Sequence, residues 1–377
     1  MRPDPYACTW LIESEDRSPR MVLEANRNHW NPDRVPRVER VVFRNELTQA
    51  QALDLCLAGD GEVDIVTELS PVDAPRVVAS PYADLQVFDA NRVLVGIINR
   101  WPSDTPLGDV RVRRALNMAI DRQVMVDQGL GGYAHIIPAL TPPWCSGFPS
   151  GAKPYAHDPQ QAKGLLDAAG WPKGRPVRIG APAAFEGLAQ MAASQIGEAL
   201  GVGTEVMVVD GAEMRAMIEK KLAPRWDILL HGWFDLSSEA PPAAVHREFF
   251  GSDGAFRAGP EDPEFDRLFR HMVAQLEGEA FVTAAEELDR YAFDQALALF
   301  ICAPQALYAV NKYVSFLGYR TTFELAETEV ADGHWSRQQT GQTGQGGQNG
   351  QMWTDPRTEP GVPPAAANTQ GFHGAGC

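Results

Sequence analysis

From Asp158 to Leu230 the chain alternates short apolar runs with amphipathic stretches, and this alternation constrains the fold more than any other feature. Asp158-Pro159-Gln160-Gln161 puts Asp at a helix N-cap, Pro at the first helical position and Gln at the third, and Gly170 closes the helix. Three apolar strands follow, at Val177–Ile179, Glu205–Val209 and Trp226–Leu230. Between the first two, Leu188, Met191, Ala192, Ile196, Ala199 and Leu200 recur on one helical face; a second helix near Ala212–Lys221 separates the last two. The spacing predicts a β-α-β-α-β unit with right-handed crossovers, and so an α/β fold.

Upstream, Val38–Phe43, Thr48–Leu57 and Val63–Val66 read as strand, helix and strand, with a connection long enough for a parallel crossover. Leu85–Phe88 and Val93–Ile98 add two strands, and Asn99–Gly108 is the expected crossing between lobes. Asp109 then caps a helix whose Val112, Ala115, Leu116, Ala119 and Ile120 form a buried stripe. Arg111, Arg113, Arg114 and Arg122 are expected on its wetter faces as a cationic collar, before Gly129, Gly131 and Gly132 end the helical stretch. A late helix is expected over Phe281–Leu299, leading into Tyr308–Leu317.

The chain has 377 residues, 44% of them hydrophobic, enough for two globular units. Its formal net charge of -16 opposes a nucleic-acid partner, because phosphates would be repelled. No apolar run is long enough to span a bilayer, and no basic and then apolar leader follows Met1. The five cysteines are scattered without a C-x-x-C pair, and the histidines never pair at metal-ligand spacing, so neither a metal nor another cofactor is expected. No nucleophile elbow, phosphate loop or dinucleotide fingerprint is present, and no enzyme activity is expected.

Several segments carry a family resemblance. Asp109 to Arg122 resembles the "D-x-R-V-R-x-A-L-x-x-A-I-D-R" signature of the family 5 solute-binding proteins of ABC transporters, the peptide- and nickel-type binding proteins. Asn26-Arg27-Asn28-His29-Trp30 with Val35-Pro36-Arg37-Val38 and Phe43, the stretch Ala58 to Ile65 (with two residues added after its Gly), and Asp158 to Trp171 are similar to three further family segments, in the family's order. The resemblance implies a two-lobed, type II periplasmic-binding-protein-like fold. Pro5-Tyr6 resembles the tail of a segment that lies well inside the family's first lobe, so that lobe is expected to be incomplete and the chain N-terminally truncated. The expected division is a partial first lobe from residues 1–98 with 309–335, a second lobe of residues 99–308, and a disordered Gln/Gly/Pro-rich tail of residues 336–377.

Ligands of open α/β sheets bind beyond the carboxyl ends of strands. The strand Trp226–Leu230 runs into His231-Gly232-Trp233-Phe234-Asp235, where Gly232 would let the backbone turn, Trp233 and Phe234 offer flat apolar surface and Asp235 offers a carboxylate. In peptide-binding relatives the similar "G-W-x-x-D" segment holds an Asp that takes the ligand's ammonium; here the spacing is one residue shorter, and a cap or solvated loop role for Asp235 stays open. Asn99 is the fourth candidate, for ligand main chain or for hinge backbone groups.

The resemblance implies the solute-binding component of an ABC importer. It would bind peptides or a similar small polar solute in an interlobe cleft and deliver it to permease membrane subunits, without a membrane span of its own. A ligand-sensing module of a transcriptional regulator and a non-functional fragment are the alternatives. The implied location is periplasmic or cell-surface; without a signal peptide, a genuine start at Met1 would leave the chain cytoplasmic.

Overall fold

The computed structural model describes residues 10–12, 20–59, 61–101, 105–219, 224–234, 243–275, 278–318 and 323–338. The chain divides into two units, residues 1–88 with 306–377 and residues 89–305, so it changes unit at Phe88–Asp89 and again at Gln305–Ala306. Most of the expected tail, and Asp235, lie outside the described residues.

In the first unit, β1 (Trp10–Ile12), β2 (Arg20–Ala25) and β3 (Arg40–Arg44) make an antiparallel sheet. Thr48 opens α1 (Gln49–Ala58) with a capping box completed by Gln51. β4 (Ile65–Val66), α2 (Ala74–Val78) and β5 (Ala83–Asp89) follow. The expected parallel crossover from β3 to β4 does not form. β3 pairs with β2, whereas β4 pairs antiparallel with Ala309 and Val310, because a hairpin partner was available locally and the later strand offered β4 a buried neighbour.

The second unit contains β6 (Arg92–Ile98), α3 (Val110–Met118), α4 (Arg122–Val124), β7 (Ala134–Ile136), α5 (Pro159–Ala169), β8 (Val177–Ala181) and α6 (Glu186–Leu200). It continues with β9 (Thr204–Val208), α7 (Gly211–Ile218), β10 (Ile228–Phe234), α8 (Ala243–Phe250), α9 (Pro263–Val273) and α10 (Glu279–Asp294). The first part of β11 (Ala298–Asn311) closes it, α10 having ended before the apolar run at Ala298 that was expected as helix. The last elements, β12 (Val314–Gly318), β13 (Phe323–Val330) and α11 (Trp335–Gln338), return to the first unit.

The β-α-β-α-β unit is present: β8 pairs parallel with both β9 and β10, in the order β10-β8-β9. β10 also pairs antiparallel with β6, which pairs antiparallel with β11. β6 therefore belongs to the second unit, although the sequence pointed to the first; a run as apolar as Val93–Ile98 requires cover on both faces. Leu94 and Ile98 pack on one side with Leu116, Ile179, Ile196 and Ile228, and Val93, Val95 and Ile97 on the other with Phe250, Phe265 and Leu288. The unit is thus a sheet between two helical layers.

The signature helix departs from its expected exposure. Arg113 and Arg122 are each only 4% exposed, whereas Arg111 keeps about half of its side chain in water. Arg113 donates to the carbonyls of Leu107, Gly108 and Gln295, and Arg122 to those of Phe300, Ile120 and Tyr155 and to Asn117 Oδ1. Burial pushes both guanidinium groups down to about 10, still charged at neutral pH. Fully buried Asn117 adds Nδ2 to Ala298 O at 2.9 Å and accepts from Phe300 N at 3.1 Å. β11 has a register shift between Phe300 and Cys302, and β7 pairs with it only from Cys302 on. Side chains of the signature therefore satisfy the stretch of strand edge that no neighbouring strand covers.

A second fastener joins α5 to β10. Trp171 lies under the Arg175 guanidinium at 4.6 Å, and Arg175 pairs with buried Asp227 at 2.6 Å. Asp227 also accepts from Arg178 N.

Candidate functional site

The strand order β10-β8-β9 means that the chain leaves β8 to one side for β9 and returns on the other side for β10. Such a reversal opens a crevice at the carboxyl ends of the two diverging strands. After β8 the chain passes Pro182 and a 3-10 turn, Ala183–Phe185, directly into α6. The N-cap position of α6 is Phe185, with no side-chain cap bond; the 3-10 turn leads straight into the helix, Phe185 N donating to Pro182 O and Glu186 N to Ala183 O.

β10 reaches further than the sequence indicated. It begins at Ile228 and runs to Phe234, so His231, Gly232, Trp233 and Phe234 are strand residues and not a loop after a strand ending at Leu230. Pairing with β6 carries the extension, from Ile228 opposite Ile98 to Phe234 opposite Arg92. Gly232 does not turn the backbone; it makes room. A Cβ there would stand 2.7 Å from Phe185 Cζ, so the glycine lets the Phe185 ring lie against the strand. The Phe185 and His231 rings are 5.6 Å apart, and His231 Nδ1 donates to Gly232 O at 2.6 Å. Burial lowers the His231 pKa, which favours the neutral ring.

Trp233 and Phe234 hold backbone positions at this strand end, opposite Val93 and Arg92; their side chains lie outside the described residues, as does Asp235 altogether. Asn99 is 8% exposed and already engaged: Nδ2 donates to Trp226 O at 3.1 Å, and Oδ1 accepts from Trp101 N at 3.0 Å. Its backbone N–H goes to Asp227 O, so it ties the end of β6 to the start of β10.

Sequence reasoning missed a polar and aromatic corner on the same sheet edge. Arg92, opposite the end of β10, follows Asn91, whose Oδ1 accepts from Trp144 Nε1 at 3.0 Å and from Cys145 Sγ at 3.2 Å. The His135 and Trp144 rings meet edge to face at 5.5 Å. His135 Nε2 donates to Asp89 Oδ1 at 3.0 Å, and Gln305 Nε2 donates to the same oxygen, also at 3.0 Å. These groups come from the β5–β6 turn, β7, the Pro-rich segment after it and the β11 strand. The one available signal was the placement of His135 and Trp144 in the Pro/Gly-rich exit of the signature helix. This corner brings rings, amides and a carboxylate together at fixed separations. Among the described residues no three His, Cys, Asp or Glu side chains stand close enough to share a metal ion.

Residues 10–254 match the family model described as bacterial extracellular solute-binding proteins, family 5 Middle. The nickel-binding periplasmic protein of Escherichia coli K12 is 23% identical over 244 residues, 59% of this chain and 44% of that protein. The glutathione-binding protein GsiB of Salmonella typhimurium is 26% identical over 211 residues, 50% of this chain and 41% of that protein. The chain thus spans less than half the length of either relative. Among solved structures, the ABC transporter substrate-binding protein CtaP of Listeria monocytogenes superposes with a TM-score of 0.74 at 19% identity, over 85% of this chain and 66% of that one. That likeness establishes the fold.

Proposed function

Because the chain belongs to the bacterial extracellular solute-binding proteins of family 5, we propose that it serves as the solute-binding component of an ABC import system and takes a small peptide or similar polar solute. The family is one of binding proteins, and the role proposed is capture and delivery to permease membrane subunits, without chemistry. The matching relative from Escherichia coli is named as periplasmic, and we propose the same side of the membrane for this chain. No helix among the described residues is long and apolar enough to cross a bilayer.

The observation that carries the reading is the reversal at β8 and β10, with the Phe185–His231 ring pair at the opening. The rings suit apolar parts of the solute. Trp233 and Phe234 at the strand end extend the apolar wall in this proposal, with Asp235 as the polar member; Asn99, bonded to Trp226 and Asp227 at the other end of β10, keeps a backbone-tying role.

Calorimetric titration with a panel of di-, tri- and tetrapeptides tests it. Gly232→Val pushes the Phe185 ring off the strand and is expected to weaken binding at least tenfold with the circular dichroism spectrum retained. Trp233→Ala is expected to cost about 1–3 kcal/mol of binding. A folded wild-type chain that binds no member of the panel, or a folded Gly232→Val variant that binds unchanged, sinks the proposal.

A further inference from the structure

We propose that Ser336, in the first unit, is a nucleophile that accepts acyl groups from esters, with His334 as its base and Asp64 as the residue that positions the base. Ser336 Oγ lies 2.8 Å from His334 Nδ1, and His334 Nε2 lies 2.9 Å from Asp64 Oδ1. The main chain settles which nitrogen carries the proton. Ser336 N donates to His334 Nδ1 at 3.3 Å, so Nδ1 is the accepting nitrogen and the ring proton sits on Nε2, toward Asp64. The Ser336 hydroxyl therefore donates to Nδ1 as well. A hydroxyl aimed at an imidazole lone pair, on a ring oriented from behind by a carboxylate, is the arrangement that activates a serine.

The carboxylate is held as firmly as the ring. Asp64 Oδ1 also accepts from Trp335 Nε1 at 3.1 Å and from Asn311 Nδ2 at 3.3 Å. His334 is 2% exposed and Ser336 is exposed, so the base is shielded while the hydroxyl is open to a reagent. Asp64 and His334 are 270 residues apart in the chain, and the fold alone joins them. Trp335, between base and nucleophile in sequence, has its ring 5.0 Å from that of His334 and lines a groove with Gly59, Tyr82, Asn311 and Tyr313. That flat apolar surface suits an ester of a phenol. In the reaction Ser336 Oγ bonds to the carbonyl carbon, and its proton passes to His334 Nδ1. The bond from that carbon to the phenolic oxygen breaks, and the phenol leaves with the proton from Nδ1. Water then attacks the acyl group, giving its proton to Nδ1 and on to Ser336 Oγ as the carboxylic acid departs. Solute capture by the second unit uses none of these groups, so the two proposals stand or fall separately.

The probes are 4-nitrophenyl acetate and diisopropyl fluorophosphate, applied to the full chain and to Ser336→Ala, His334→Gln and Asp64→Asn, with circular dichroism as the folding check. The wild type should release about one equivalent of 4-nitrophenol per chain in an initial burst. Mass spectrometry should place the phosphoryl group, bonded to Oγ with fluoride as the leaving group, in the tryptic peptide Thr321–Arg337, whose one serine is Ser336. Ser336→Ala, a change at an exposed side chain, should abolish both signals. His334→Gln should slow both at least tenfold. Spectra of the 15N-labelled histidines should show His334 as the Nε2–H tautomer in the wild type and as a mixture of tautomers in Asp64→Asn, a change that a merely structural carboxylate would not produce. The proposal is overturned by the absence of a burst, by label found only on other residues, or by undiminished labelling in folded His334→Gln. An Nδ1–H tautomer in the wild type overturns it too, a readout that needs no variant to fold.

Discussion

Asn117→Leu isolates the work done by the signature helix. The two side chains are similar in volume, so the change removes polar contacts without opening a large cavity. Asn117 is fully buried and makes bonds to Ala298 O, Phe300 N, Arg113 O and Arg122 Nη2. Leucine leaves at least one strand amide and one strand carbonyl buried without partners, each costing about 1–3 kcal/mol. Arg122 keeps its bonds to three carbonyls, so its charge stays solvated by the main chain. The expected loss is about 2–5 kcal/mol, or a fall in melting temperature of roughly 4–20 °C for a unit of this size. Urea denaturation followed by fluorescence and circular dichroism measures it. Arg111→Ala, in the same helix but with its guanidinium half in water on Asp109, should leave the urea midpoint nearly unchanged. If Asn117→Leu is as mild as Arg111→Ala, the strand edge does not depend on the signature and the reasoning fails.

Asp227→Ala leaves Arg175 and the Arg178 amide without their acceptor and should destabilise by about 3–5 kcal/mol, read from the urea midpoint. His231 has a lowered pKa in the fold, so the unfolded chain takes up the proton first as pH falls. Its contribution is fully present above the ordinary histidine value of about 6.5 and is lost progressively below it, and His231→Gln should flatten that part of the stability–pH curve. Ending the chain after Gly333 removes the His334 and Trp335 donors to Asp64 and should lower the melting temperature. Ending it after Gln338 should leave that temperature nearly unchanged, since the Gln/Gly/Pro composition beyond offers little to pack.

What the sequence made legible was local. Asp158 with Gln161 and Gly170 set the bounds of α5, and the runs at Val177, Glu205 and the stretch after Trp226 announced three parallel strands, because caps and periodicity act over a few residues. Arg113 and Arg122 were misread because charge normally marks the wet face, and the carbonyls that satisfy them lie mostly far along the chain or across a turn. His231 to Phe234 looked like a loop since His, Gly and Trp in succession carry no strand pattern; register against β6 decided it. The Asp89–His135–Trp144 corner is assembled from separate loops and strands, and no spacing in the sequence announces such a meeting.

The partnership between the signature helix and β11 also sets a schedule for the growing chain. Arg122 waits for a carbonyl 178 residues downstream, and Asn117 for an amide 183 residues downstream. At a synthesis rate of about 5–20 residues per second that interval is on the order of 10–35 s, far longer than a helix needs to form. Until β11 emerges, the apolar stripe of α3 cannot be covered while its arginines and asparagine are satisfied, and β6 lacks one of its two neighbours. The second unit therefore closes late and nearly all at once, and the nascent chain presents an open sheet to whatever escorts it until then.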